Sequence, residues 1–281
     1  MSSPFYFRLR RWFYPLLGVV VALSIFVSSL QPSQALSWFD LIYQGIQVVQ
    51  LSNVSDKQEV QLGQQINKQL VSEQIKIYSN SDVTRYIDQV GQRLAASSTR
   101  PNIPYKFQVV NADSINAFAT MGGFVYVHSG LLKAADNEAQ LASVMAHEIG
   151  HIANRHAVQQ MRQKALASGL TAAAGLDRNA AVAIGVDLAI ERPTSRQDEF
   201  EADRSGFVTL GRAGYDQSAM PAFLQKLLKA PSPPTFLSDH PATSDRIAVL
   251  KRELNPARAN VGSGLNSAAY KSQIRPLLRQ A

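Results

Sequence analysis

Residues 143–156 read SVMAHEIGHIANRH, a stretch that sets three of the chain's five histidines and one glutamate within ten positions. From the chain's own His and Glu frequencies, a chance His-Glu-x-x-His is expected only about 0.003 times along its length. On a helix turning about 100° per residue, His147 and His151 stand one turn apart and about 40° off one another, so both imidazoles reach one ion from a single face. Glu148 flanks that face. A carboxylate there can take a proton from a water that a metal ion has acidified and pass it to a leaving amine, which is the chemistry of peptide hydrolysis. His156 falls about 180° round the same helix from His147. It also stands one short of residue 157, where a metzincin would carry its third histidine and this chain has alanine. An imidazole off the metal face is read as a structural or surface side chain.

Two helical histidines leave a zinc ion one protein ligand short, and a glutamate from a second helix is the common alternative to a third histidine. Downstream of the motif stand Glu191, Glu199, Glu201 and Glu253, and RQDEFEADRSG (196–206) places its glutamates in helix-forming sequence. Glu199 and Asp203, four apart, share a face. Glu199 is therefore assigned to the metal, and Asp203 is placed to accept a hydrogen bond from the outer nitrogen of a ligand imidazole. Glu201 lies about 160° from that pair. The competing reading of the segment is an exposed acidic patch. The chain has no cysteine, so thiolate ligands, disulfides and a cysteine nucleophile are excluded and the site is built from His and carboxylate.

The elements that must position these groups read as an α+β fold, a mainly helical body with a small β-sheet beside the His-Glu-x-x-His helix. Residues 55–77 open on the capping-box-like SDKQ, and SDVTRYIDQVGQRLA (81–95) lays Val83, Ile87, Val90 and Leu94 along one stripe. YKFQVV (105–110) and GFVYVHSG (123–130) alternate and are rich in β-branched and aromatic residues, so they read as a hairpin or meander, with Gly122 and Gly123 ahead of the second strand. The motif helix starts near Asn137. The Ala-rich 165–190 contains Asp177, Arg178 and Asp187, which break a membrane span and leave a packed or lid helix. A helix over about 196–213 presents Glu199, and PSPPTFLSDHP (231–241) reads as a loop from its prolines.

With these motifs in order, the chain resembles the gluzincin metallopeptidases of the HtpX, CAAX prenyl endopeptidase and OMA-type family, and in layout its soluble periplasmic BepA/LoiP-like members. The resemblance spans residues 55–253 and rests on EVQLGQQI (59–66), YIDQVGQRLA (86–95), NAFATMGGFVYVHSGLL (116–132), LASVMAHEIGHIANRH (141–156), EFEADRSG (199–206) and HPATSDRI (240–247). It implies one zinc ion per chain, endopeptidase activity and protein quality control in the envelope. It also implies that His240 comes close to the metal, as an oxyanion donor or as a plug on the open position, and that Arg246 braces the site. From the residues alone, His240 is a surface histidine in a Pro-rich loop. The family places proline before the paired glycines, where this chain has Met121; the expectation is a small change in loop stiffness.

The expected substrates are unfolded or misassembled proteins, held as an added strand along Phe124, Val125, Tyr126 and Val127. The alternative for that segment is plain sheet core. Arg8, Arg10 and Arg11 precede an apolar run from Trp12 to about Leu30 that ends in QPSQA. Residues 1–35 thus read as a cleavable export signal, with a membrane anchor as the alternative, and the protein is expected outside the cytoplasm. The metallopeptidase domain is expected over 36–255, followed by a basic tail, 256–281, too short for one helical repeat of about 34 residues. Removing the three arginines of the signal from the net charge of +7 leaves +4, too little to argue for nucleic acid. A chaperone-like module with a latent zinc site is the second reading; an intact Glu148 speaks against it, because a structural zinc site needs no general base.

Overall fold

The computed structural model describes residues 48–49, 53–168, 176–191, 195–241 and 244–279. The expected export signal, 1–35, lies outside them. Among the described residues no helix is long and apolar enough to cross a membrane.

In chain order the elements are β1 (Val48–Val49), α1 (Asp56–Gln69), α2 (Ser81–Ala96), β2 (Lys106–Val110), β3 (Ala117–Thr120), β4 (Phe124–His128), α3 (Ser129–Ala134), α4 (Glu138–Ala153) and α5 (His156–Ala167). They continue with β5 (Leu176–Asp177), α6 (Arg178–Glu191), α7 (Arg196–Arg212), α8 (Ala219–Leu228), α9 (Thr235–Asp239), α10 (Ser244–Glu253), α11 (Ser267–Gln273) and α12 (Arg275–Leu278). The fold is α+β and mainly helical. Helix α1 begins with a complete capping box between Ser55 and Gln58, and a π-helical turn, Leu70–Gln74, ends it. Helix α2 buries Val83, Ile87, Val90 and Leu94 as the stripe requires.

The sheet differs from a hairpin of 105–110 with 123–130. Strand β4 is central, parallel to β2 on one side and antiparallel to β3 on the other. The hairpin is β3–β4, because only the three-residue turn Met121–Gly123 separates them, with Gly122 at φ 78° and Gly123 at φ 97° in the left-handed region that glycine favours. Met121, which stands where the resembled family places proline, is buried in this turn. Phe124, Val125, Tyr126 and Val127 therefore have both ladder edges occupied and both faces buried. They are sheet core, and the substrate-strand assignment to them is corrected.

Helix α4 carries His147, Glu148 and His151. Asn137 caps it by accepting from the Gln140 amide. Every residue from Ala139 to Ile152 is buried, so this helix is the centre of the molecule rather than an amphipathic surface element. It crosses α7 at very short range. A Cβ on Gly150 would stand 2.4 Å from the Ala202 carbonyl oxygen, and one on Gly206 would stand 2.8 Å from that of Ala146. Glycine at both contacts lets α7 come near enough for Glu199 to reach the histidines.

Two further expectations are revised. The segment 231–241 holds a short helix, α9, because Pro234 stands at its N-cap, outside the helical interior that proline would break. The segment expected as a C-terminal tail, described over 256–279, is tied to the core. Tyr270, Ile274 and Leu277 fall on one helical stripe and join the main core, and the Tyr270 hydroxyl donates to the Leu132 carbonyl at 2.7 Å. The Ala139 amide, in the first turn of α4, donates to the Gly264 carbonyl at 3.0 Å.

Candidate metal centre

Helix α4 aims both motif histidines at one point through Nε2, with the two Nε2 atoms 3.0 Å apart. Helix α7 starts from a Ser195–Asp198 capping box and projects Glu199 to the same point. Its Oε2 is 3.4 Å from His147 Nε2 and its Oε1 is 3.4 Å from His151 Nε2. His240 ends α9, where its amide donates to the Phe236 carbonyl at 2.7 Å and its ring stacks on Phe236 at 4.8 Å. Its Nδ1 lies 3.1 Å from Glu199 Oε1 and 3.3 Å from His147 Nε2. One donor atom from each of His147, His151, Glu199 and His240 falls within 4.8 Å of the others, and all four residues are buried.

These spacings fit a cation. Ligands about 2.0–2.1 Å from a tetrahedral ion stand roughly 3.3–3.4 Å from one another, close to the 3.0–3.4 Å separations here. The donor chemistry, three imidazoles and one carboxylate, suits a borderline transition-metal ion better than a hard one.

Arg246, buried on α10, holds the acidic side of the cluster. Its Nε and Nη2 donate to the two oxygens of Asp203 at 2.6 and 2.7 Å, and its Nη1 donates to Glu199 Oε2 at 2.6 Å and to the Pro241 carbonyl at 3.0 Å. A planar guanidinium matches this fork as lysine would not. Asp203 Oδ1 in turn lies 2.9 Å from His147 Nδ1. Burial alone would raise the Glu199 carboxyl, but the facing His240 and His147 imidazoles hold it far below the usual carboxylate range. For Asp203, burial is likewise outweighed by its hydrogen bonds with Arg246 and His147. Burial lowers both imidazoles; it takes His151 down to about 4, whereas Asp203 and Glu199 reverse the effect on His147 and push it up to about 10. A cation held here would compete with protons for the same imidazole nitrogens.

Glu148 is fully buried beside the cluster, and neither of its carboxylate oxygens has a hydrogen-bond partner; the His240 Nε2 is 3.5 Å from Oε1. Both groups border a small cleft of about 50 Å³ that Phe118, Met121 and Leu188 also line. The residues placed here from sequence, His147, Glu148, His151, Glu199, Asp203, His240 and Arg246, come together. Phe124 to Val127 do not line the cleft; residues 118–121, at the end of β3 and its turn, do.

The model of peptidase family M48 matches residues 81–254 of the chain. The chain belongs to this family. Among its relatives, the M48 chain is 37% identical over 227 residues to the Beta-barrel assembly-enhancing protease of Escherichia coli (strain K12), covering 75% of this chain and 46% of the relative. It is 28% identical over 216 residues to the Mitochondrial metalloendopeptidase OMA1 of Schizosaccharomyces pombe, covering 74% and 64%. It is 26% identical over 241 residues to the Metalloprotease LoiP of Escherichia coli (strain K12), covering 82% and 93%. The chain thus spans about half the length of the curated Beta-barrel assembly-enhancing proteases it matches.

Sequence spacing missed two contacts. Of the structural and surface options for His156 the buried, structural one holds, and its Nδ1 is 2.9 Å from His151 Nδ1, a contact spacing did not announce. The helical projection failed because the helix does not run on: Arg155 takes a left-handed φ of 59° and α5 restarts at His156. Asn154, a frequent helix terminator, was the signal available. The second is buried Glu59 on α1, which accepts from Arg100 Nη2 at 2.9 Å, while Arg100 Nη1 donates to the Ile152 carbonyl near the end of α4 at 2.9 Å. No local pattern announces that link.

Proposed function

We propose that the chain is a zinc endopeptidase that hydrolyses unfolded or misassembled proteins of the cell envelope, exported there by residues 1–35. The observation that carries this reading is the buried cluster of His147, His151, Glu199 and His240 with an unpartnered Glu148 beside it. One zinc ion per chain would be held by His147, His151 and Glu199. Bound zinc supplies Lewis acidity, polarising a water and the scissile carbonyl.

The chain's own groups do the rest. Glu148 takes the proton of the attacking water and delivers it to the leaving amine. Asp203 fixes the His147 ring, and Arg246 locks Asp203 and Glu199 in one arrangement. The substrate backbone lies in the cleft beside residues 118–121, which takes the place of the strand position expected at 124–127. The names of the relatives, Beta-barrel assembly-enhancing protease foremost, favour misassembled envelope proteins as clients.

His240 decides between an active and a latent site. At 3.1–3.3 Å from two of the other donors, its Nδ1 sits where a fourth ligand would, which favours the plug over the oxyanion donor and describes a closed resting enzyme. In that state the protein holds clients without cutting them, which is what the chaperone-like reading describes. The test compares wild type with His240→Ala on unfolded casein and on a stably folded protein. Casein alone should be cut, chelation should stop it, and the variant should cut faster. If the closed form holds about nine-tenths of the molecules, the gain is about 10-fold. Slower cleavage by the variant would make His240 a donor, and no cleavage by either protein would reject the peptidase reading.

A further inference from the structure

His151 meets the cluster through Nε2, so its other nitrogen must be oriented from outside. His147 has Asp203 for that purpose; among the described residues the partner of the His151 Nδ1 is an imidazole, not a carboxylate. Its Nδ1 faces His156 Nδ1 at 2.9 Å, and His156 Nε2 lies 3.2 Å from Glu201 Oε2. We propose that His156, seated on Glu201, is a positioning residue that fixes the ring and the tautomer of the ligand His151. The inference rests on the metal-site reading above.

Two imidazole nitrogens at hydrogen-bond distance need one hydrogen and one lone pair between them. A neutral His151 that binds a cation through Nε2 carries its hydrogen on Nδ1, so His156 must accept there. The hydrogen of His156 is then on Nε2, where Glu201 accepts it. The direction of the chain is thereby set from His151 through His156 to Glu201, and Gln197 Nε2 steadies Glu201 by donating to Oε1 at 2.8 Å. The left-handed turn at Arg155 is what swings His156 back over His151.

The arrangement also spares the core a charge. Asp203 is buried and is neutralised by Arg246. A second carboxylate placed directly on His151 would have no such partner and would pay the full cost of desolvation. The His156 ring, 1% exposed, carries the link outward to Glu201, whose side chain is 43% exposed and remains solvated.

Zinc affinity measured by chelator competition on the full chain tests the proposal, with the visible spectrum of the cobalt(II)-substituted protein as a second readout and apoprotein melting as the control for folding. His156→Ala should bind zinc about 10- to 100-fold more weakly and shift the cobalt bands. His156→Asn, whose Oδ1 takes the place of Nδ1 and can accept from His151, should restore most of the affinity and the spectrum. His156→Gln, whose amide group lies nearer the place of Nε2, should restore less. Glu201→Gln, at the surface, should show a smaller loss in the same direction with melting unchanged. Wild-type affinity in His156→Ala would overturn the proposal, and so would equal loss in the Ala and Asn variants. Failure of the wild type itself to bind zinc would overturn the metal-site reading instead, and this inference with it.

Discussion

Glu148→Gln is expected to keep one zinc ion per chain and to lose about 10²- to 10⁴-fold in turnover on unfolded protein, the range associated with a positioned general base. Glu148 stands outside the set of donor atoms that converge on one point, so its replacement by a near-isosteric amide leaves the ligands in place. Its carboxylate is fully buried, and neither oxygen is committed to another side chain's hydrogen bond, which leaves it available to a reacting water. The amide keeps the shape and loses the ability to take a proton. Elemental analysis and cleavage rate are measured on the same preparation. Full metal content with wild-type cleavage would show that the proton goes elsewhere.

Glu199→Ala and Glu201→Ala are expected to behave oppositely at saturating zinc. The two glutamates are two residues apart on α7, yet Glu199 is buried among the histidines while Glu201 points to the rim and His156. Removing a side chain that only supports a ligand lowers metal affinity about 10- to 100-fold, and removing a ligand costs more. Glu199→Ala should therefore retain no zinc through gel filtration and show no measurable cleavage. It also leaves Arg246 Nη1 without its 2.6 Å acceptor in a buried site, so a lowered melting temperature should accompany the loss. Glu201→Ala should retain a full equivalent when zinc is in excess, with the weaker affinity expected from loosening His156. Equal metal content in the two variants would show that the face of α7 was misassigned.

The chemistry was legible in the sequence because helical spacing is local. His147 with His151, and Glu199 with Asp203, are each four apart, and Asn137 and Ser195 mark where their helices begin. The family motifs added Arg246 and also His240, which the residues alone place in a Pro-rich loop. Pairing between strands is not local in the same way. YKFQVV and GFVYVHSG carry the same alternation whether they run parallel or antiparallel, and the short AFAT between them decides the order 2-4-3. His156 was lost to one backbone torsion at Arg155, which no periodicity reveals. The C-terminal segment reads as a basic tail, although Tyr270, Ile274 and Leu277, which are buried, stand at helical spacing.

Stepwise return of zinc to chelator-stripped protein, followed by the rate of unfolded-casein cleavage, tests the central claim most directly. The stripped protein should be inactive, and cleavage should rise with added zinc and level off at one equivalent per chain, because one cluster of donors converges among the described residues. Cleavage that survives stripping, or that never appears as zinc is restored, would contradict the assignment of His147, His151 and Glu199 to a catalytic zinc site.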